Sequence, residues 1–235
     1  MDLQEAVIRV VDCETTGMDP ATSRVVEVAY ADLNYRRGII GSASSFINPG
    51  CKIPFDAMAI HHITDKMVEG APRLDAVWPS FQNGSFHTMA AHNAPFDFSF
   101  LKAPPSVLCT LRLARHLWPD LESHKNQYLR YYLGVEVASD VLIHRALGDA
   151  IVTALVLQKM MGIVIEKGGI HDLETLIAWS NEPVLLGTCW FGNKHRGRKW
   201  SEVPLDYLQW MKEKVTDMDA DTKYTVEQYL KQTKI

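Results

Sequence analysis

Three short stretches of this chain carry side chains able to do chemistry. Asp12-Cys13-Glu14 ends an apolar, β-branched run, AVIRVVDCE (6–14). Residues two apart in a strand share a face, so the two carboxylates stand side by side. Like charges that close call for a cation, and carboxylate oxygens suit Mg²⁺ or Mn²⁺. His92-Asn93-Ala94-Pro95-Phe96-Asp97 follows a short apolar strand and puts Asp97 at a helix start. His144-Arg145-Ala146-Leu147-Gly148-Asp149 puts an acid in the opening turns of the longest helical pattern, with a histidine on the loop ahead of it. Taken singly, each stretch has a plainer reading: an exposed strand end, an N-cap aspartate, a helix-dipole partner beside a surface histidine.

The elements that must position these groups follow from hydrophobic pattern and turn signals. Strands are predicted at 6–14, 25–33 and 39–47, the last two joined by the hairpin turn NYRRG. Short helices follow at 54–64, 64–70 and 72–83, with Thr64 as an N-cap and Pro79 as a kink or stop. A buried strand at 88–93, a helix at 96–101 ending before Ala103, a strand at 106–110 and a helix at 111–118 come next. A helix at 126–134 is capped by Gly134, and the long helix spans 144–162. This order implies an α/β domain with a mixed sheet flanked by helices. A boundary is read at IVIEKGG, dividing a domain at 1–163 from a small α+β domain at 164–235. The latter is expected to hold helices at 172–180, 205–214 and 219–232 and an apolar hairpin at 184–200.

Composition sets outer bounds. The 235 residues suffice for one ordinary domain and a smaller appendage. A net charge of −4 argues mildly against nucleic acid as partner, although two bound divalent cations would bring the total to about zero. Cys13, Cys51, Cys109 and Cys189 form no C-x-x-C pair, which disfavours a thiolate zinc site and suits a reduced, cytoplasmic setting. The first residues, MDLQEAVIRVV, lack a basic n-region, and the apolar run is too short for a leader or a membrane span.

Taken together, D-C-E-T-T-G, A-H-N-A-P-F-D and H-R-A-L-G-D resemble the three motifs of the DEDDh branch of the DnaQ-like 3′→5′ exonucleases, over residues 6–162. The resemblance implies a ribonuclease-H-like fold. It also implies two Mg²⁺ ions, replaceable by Mn²⁺, and release of nucleoside 5′-monophosphates from a 3′ end. Asp12, Glu14, Asp97 and Asp149 would be the metal ligands and His144 the general base, with all five catalytic. Thr15, Thr16, Gly17 and Met18 would border the terminal nucleotide. So would Ile60, His61 and Thr64, from A-M-A-I-H-H-I-T, together with His92, Asn93 and Phe96. The run T-C-W-F-G-N-K-H-R-G-R-K-W, followed by D-Y-L-Q-W-M, resembles the tail of a longer bacterial branch of the family. There Lys194, Arg196, Arg198 and Lys199, among Trp190, Phe191 and Trp200, could contact nucleic acid; a solvated turn over a small core is the alternative. The expected partner is DNA, as single strand or duplex 3′ ends, with no membrane. RNA trimming, a non-catalytic nucleic-acid-binding module and a polymerase-docked proofreading subunit are the competing readings.

Overall fold

A computed structural model describes residues 1–102, 104–139 and 141–232. Ala103, Asp140 and the last three residues of the expected C-terminal domain lie outside it. Strands β1 (Val7–Thr15), β2 (Val25–Asn34), β3 (Gly38–Phe46), β4 (Thr88–Ala91) and β5 (Val107–Cys109) form one mixed sheet in the order β3-β2-β1-β4-β5. β1 pairs antiparallel with β2 and parallel with β4, so the strand bearing the D-x-E pair lies at the centre of the sheet. Between β3 and β4 come α1 (Phe55–His61), α2 (Asp65–Val68) and α3 (Leu74–Phe81). Pro79 is held within α3, which ends two residues later. Helix α4 (Ala94–Phe100) links β4 to β5, and α5 (Thr110–Leu117) and α6 (Asn126–Tyr132) follow.

Alternation along β1 assigns its two faces. Ile8 and Val10 join the core built with the long helix α7 (Ala146–Ile163), while Val11 and Cys13 join the core of α3 and α4. Asp12 and Glu14 continue the Ile8/Val10 parity and therefore point to the α7 side. Helix α7 is apolar nearly all round, the pattern of a fully covered helix. The stretch Ala146–Gly168 is long and apolar enough to cross a membrane, yet it packs on β1, β2 and β3 and on α5 and α6 as the central helix of the core.

Two expectations fail here. IVIEKGG is not a linker: Val164 is buried, and the chain continues as a π-helical turn (Val164–Gly168) ending at Gly169 in the left-handed region. Helix α8 (Leu173–Asn181) then buries Leu173 and Leu176 in the first core, so packing divides near residue 182 rather than 163/164. The hairpin at 184–200 is also absent. A lone bridge, Thr188–Lys199, and the Cys189–Arg198 and Gly197–Cys189 backbone bonds close a loop, and Gly192 and Gly197 at positive φ turn the chain out of strand geometry. Among the described residues the C-terminal region is therefore helical, with α9 (Leu205–Lys214) and α10 (Ala220–Gln232) around Cys189, Trp200, Leu208, Met211 and Val226.

Arg9, in mid-strand, is 3% exposed. Its guanidinium makes paired bonds to Asp32 (2.7 and 2.6 Å), donates to the carbonyls of Phe81 and Asn83, and lies between the rings of Tyr30 and Phe86. Removing one partner of such a pair leaves a poorly solvated charge. Arg9→Ala is expected to lower the unfolding free energy by about 3–5 kcal/mol in urea denaturation. The double change Arg9→Met/Asp32→Leu should recover much of that; a double variant as unstable as the single one would refute the pairing argument.

Candidate active site

The first-strand pair and the third-motif acid meet. One oxygen each from Asp12, Glu14 and Asp149 can be chosen so that all lie within 4.8 Å of one another. Asp97 arrives from the other face, at the start of α4. Its Oδ1 accepts from the Cys13 N–H (3.1 Å) and the Cys13 thiol (3.5 Å), which fastens it between the two β1 acids. Asp97 is 3% exposed, and after burial its charge is the largest influence raising the Asp12 pKa.

Electrostatics show what the arrangement lacks. Burial, then Asp97, Glu14 and Asp149, hold the Asp12 carboxyl well above the usual carboxylate range. Burial and Asp149 push Glu14 up to about 7. Burial pushes Asp97 to about 7 against the Cys13 bonds, and Asp149 is raised by burial although His144 and Gln127 oppose it. Among the described residues no Lys or Arg forms an ion pair with any of the four. Hard oxygen donors, crowded and short of positive charge, fit a divalent cation.

The loop carrying His144 is held by backbone geometry. His144 is exposed and left-handed (φ 59°), and its N–H donates to Asp149 Oδ2 at 3.0 Å. A Cβ on Gly148 would lie 1.7 Å from the Leu142 carbonyl oxygen, so only glycine lets this loop lie on α7. Asn126 donates to the Asp149 carbonyl and Gln127 to Asp149 Oδ1, tying α6 to the same acid.

Two residues that sequence reading passed over complete the frame. Glu27 lies opposite Glu14 in the β1–β2 register and is 3% exposed. It accepts from Arg145 (3.0 and 2.7 Å) and from the Ala146 N–H (3.0 Å), anchoring the start of α7 to β2. Arg145 in turn is the cation that draws the Glu14 pKa down. The only sequence signal was an acid at a buried parity in β2.

The remaining expected site residues divide. Met18 and Ile60 are 78% and 60% exposed, apolar surface available to a base or sugar. Thr15 and Thr16 are buried: Thr15 Oγ1 donates to the Gly17 carbonyl, and Thr16 Oγ1 accepts from the Arg24 N–H. A Cβ on Gly17 would meet Ser23 Oγ at 2.7 Å, so this glycine already serves the loop's own closure. Thr64 is exposed at the N-cap position of α2 with no side-chain cap bond. Asn93 is exposed and left-handed, and Phe96 packs edge-on against Phe100. His61 and His92 do not present free faces. His61 is 2% exposed and accepts from the Ile63 N–H. His92 bonds Thr110 Oγ1 and the His124 carbonyl, and burial drives its pKa down to about 4. Lys194, Arg196, Arg198 and Lys199 are exposed on the C-terminal loop.

Two measurements probe this frame. Raised acid pKa values mean that the folded, metal-free protein holds protons the unfolded chain has released. The protonated acids contribute stability below about pH 4 and lose it as pH rises through about 7. Divalent cations replace those protons, so the cation-induced rise in thermal midpoint should grow from about pH 5 to about pH 8. Asp12→Asn should melt higher than the native chain in chelator and lose most of that rise; a lower midpoint in chelator would refute the repulsion argument. Glu27→Gln, which leaves Arg145 and the α7 start less firmly held, is expected to weaken divalent-ion binding by about tenfold or more in calorimetry, with Glu27→Asp intermediate.

With this geometry in view, comparison with known proteins is direct. The RNase_T family model, described as Exonuclease, matches residues 10–157. Exodeoxyribonuclease 10 of Escherichia coli K12 is 32% identical over 232 residues, covering 97% of this chain and 100% of the relative. The PolC-type DNA polymerase III of Clostridium perfringens is 33% identical over 177 residues, 71% of this chain and 12% of the polymerase. The solved structure of exonuclease X with 5′ overhanging duplex DNA superposes with a TM-score of 0.65 at 31% identity, covering 74% of this chain and 99% of that one. The five-stranded mixed sheet is thus the ribonuclease-H-like fold of the DEDDh enzymes, whose members use divalent metals. This chain belongs to that exonuclease family.

Proposed function

We propose that the protein is a Mg²⁺-dependent exonuclease that removes nucleoside 5′-monophosphates from the 3′ ends of DNA. The observation that carries this reading is the gathering of Asp12, Glu14 and Asp149, with Asp97 bonded to Cys13 beside them and, among the described residues, no Lys or Arg ion-paired to any of the four. Alignment with exodeoxyribonuclease 10 along nearly the whole chain supports DNA as the substrate. In this reading the domain that ends near residue 182 carries the chemistry, and the residues beyond it add a smaller nucleic-acid-contacting unit. Four free thiols suit a cytoplasmic setting.

Asp12, Glu14, Asp97 and Asp149 would hold two Mg²⁺ ions, with Mn²⁺ able to replace them. When bound, those ions would supply Lewis-acid stabilisation of the phosphate and the leaving 3′-oxygen and would acidify the attacking water. His144, exposed at the rim beside Asp149, accepts the proton of that water and passes it to solvent. The Glu27–Arg145 pair and Gly148 fix where His144 stands. The exposed Met18 and Ile60 press on the terminal base and sugar, contacts that are blind to base identity.

A time course on 3′-labelled single-stranded DNA, duplex DNA and RNA tests the reading. Mononucleotides should appear from DNA with Mg²⁺ and not with chelator. Asp12→Ala should slow release on the order of a hundred- to a thousandfold. Faster release from RNA would move the substrate assignment to RNA, and release insensitive to chelator and to Asp12→Ala would overturn the metal-dependent reading.

A further inference from the structure

The C-terminal loop concentrates charge that the protein does not neutralise. Residues 192–199 contain Lys194, Arg196, Arg198 and Lys199 and no acid, in a chain of net charge −4. Among the described residues none of the four forms an ion pair with a carboxylate. The neighbouring Arg112 and Arg115 of α5, by contrast, are engaged with Asp221.

Aromatic rings hold two of these cations in place. Arg196 donates to the Trp190 carbonyl (2.7 Å), with its guanidinium 5.7 Å from the Trp190 ring. Lys194 Nζ lies 5.1 Å from the Tyr207 ring. Tyr207 stacks on Trp210 at 5.2 Å and 29°, and Trp210 is 48% exposed. These two rings, Phe191, Lys194 and one acid, Asp206, border an open groove of about 540 Å³. An exposed tryptophan stacked on a tyrosine under a fixed cation offers a flat π surface beside positive charge.

A second groove runs toward the catalytic acids. Trp190, one residue before Phe191, borders a groove of about 390 Å³ together with His124, Lys125 and Asn126. Asn126 is the residue whose amide bonds the Asp149 carbonyl. Trp190 thus shares one groove with Asn126, which bonds the backbone of Asp149, and is adjacent in sequence to Phe191, which borders the other.

We infer that Trp190, Lys194, Arg196, Tyr207 and Trp210 form a subsite for an unpaired stretch of the DNA strand, outside the catalytic centre. The inference rests on the reading of the protein as a DNA exonuclease. Stacking on Trp210 needs bases free of a partner, whereas the cations need only phosphates, so the subsite favours single-stranded segments over blunt duplex.

Anisotropy of labelled oligothymidylate and of a blunt duplex, in chelator, reads this subsite without catalysis. Hydrolysis of the p-nitrophenyl ester of thymidine 5′-monophosphate by the native protein, with Mg²⁺, reads the catalytic reading separately. Trp210→Ala and Lys194→Ser/Arg196→Ser, checked for an unaltered thermal midpoint, should each weaken single-strand binding about tenfold, with a smaller loss on duplex for Trp210→Ala. The double variant should also flatten the salt dependence. Native affinity for the single strand in both variants, or equal losses on single strand and duplex in Trp210→Ala, would overturn the subsite. Failure of the native protein to cleave the ester or DNA would instead overturn the exonuclease reading.

Discussion

Mutual repulsion among four carboxylates is the constraint around which this fold is arranged. Two unit charges 4.8 Å apart, the outer limit for the chosen oxygens of Asp12, Glu14 and Asp149, repel by on the order of 3–4 kcal/mol at an effective dielectric of 20. A domain of this kind is stable by only about 5–15 kcal/mol. Several such pairs cannot stay ionised without help: burial first, with neighbouring carboxylates added, raises Asp12 above ordinary carboxylates and Glu14 to about 7, and burial alone raises Asp97 to about 7. Protons relieve the strain in part. A divalent cation relieves it more fully and leaves the acids charged.

The protein holds these acids with dipoles rather than with cations. Asp97 takes the Cys13 N–H, and Asp149 takes the His144 N–H and the Gln127 amide. Such donors orient a carboxylate without neutralising it, so its full charge remains for an ion. The nearest guanidinium, Arg145, is spent on Glu27. That pair sits where β2 and α7 meet, so the element delivering Asp149 and the strand opposite Glu14 are locked together at the point where displacement would cost most.

Much of this was legible in the sequence because it is periodic or local. Asp12 and Glu14 sharing a face follows from strand parity, and Asp97 and Asp149 at helix starts follow from where each helix must begin. What escaped was long-range. Arg9 and Glu27 drew no reading from sequence, and their meaning comes from Asp32 in the neighbouring strand for the first and from Arg145, 118 residues away, for the second. IVIEKGG, with its paired glycines, reads as a boundary, but Val164 reaches the core and tertiary burial decides the structure there. The basic loop reads as a hairpin because aromatic runs flank it; glycines at positive φ and the bond from Arg196 to the Trp190 carbonyl close it on itself. His92 sits within a catalytic motif, yet both ring nitrogens are committed to the packing of α5 and the 118–125 loop.

The chain contains its own control for the metal argument. Asp221 is 1% exposed, against 3% for Asp97, and it is met by Arg112 and Arg115 of α5 and by the Val184 N–H. Glu27 and Asp32 are answered by Arg145 and Arg9 in the same way. Wherever a buried acid serves as a joint, an arginine completes it. Among the described residues, the acids that gather without an arginine are those where β1, α4 and α7 converge. The Asp221 joint also fastens α10 to α5, and with Gly187 bonded to the Pro119 carbonyl it brings Trp190 beside Asn126. Asp221, closed by arginine, thus holds α10 against α5, while the acids left open are the ones whose charge a divalent cation would answer.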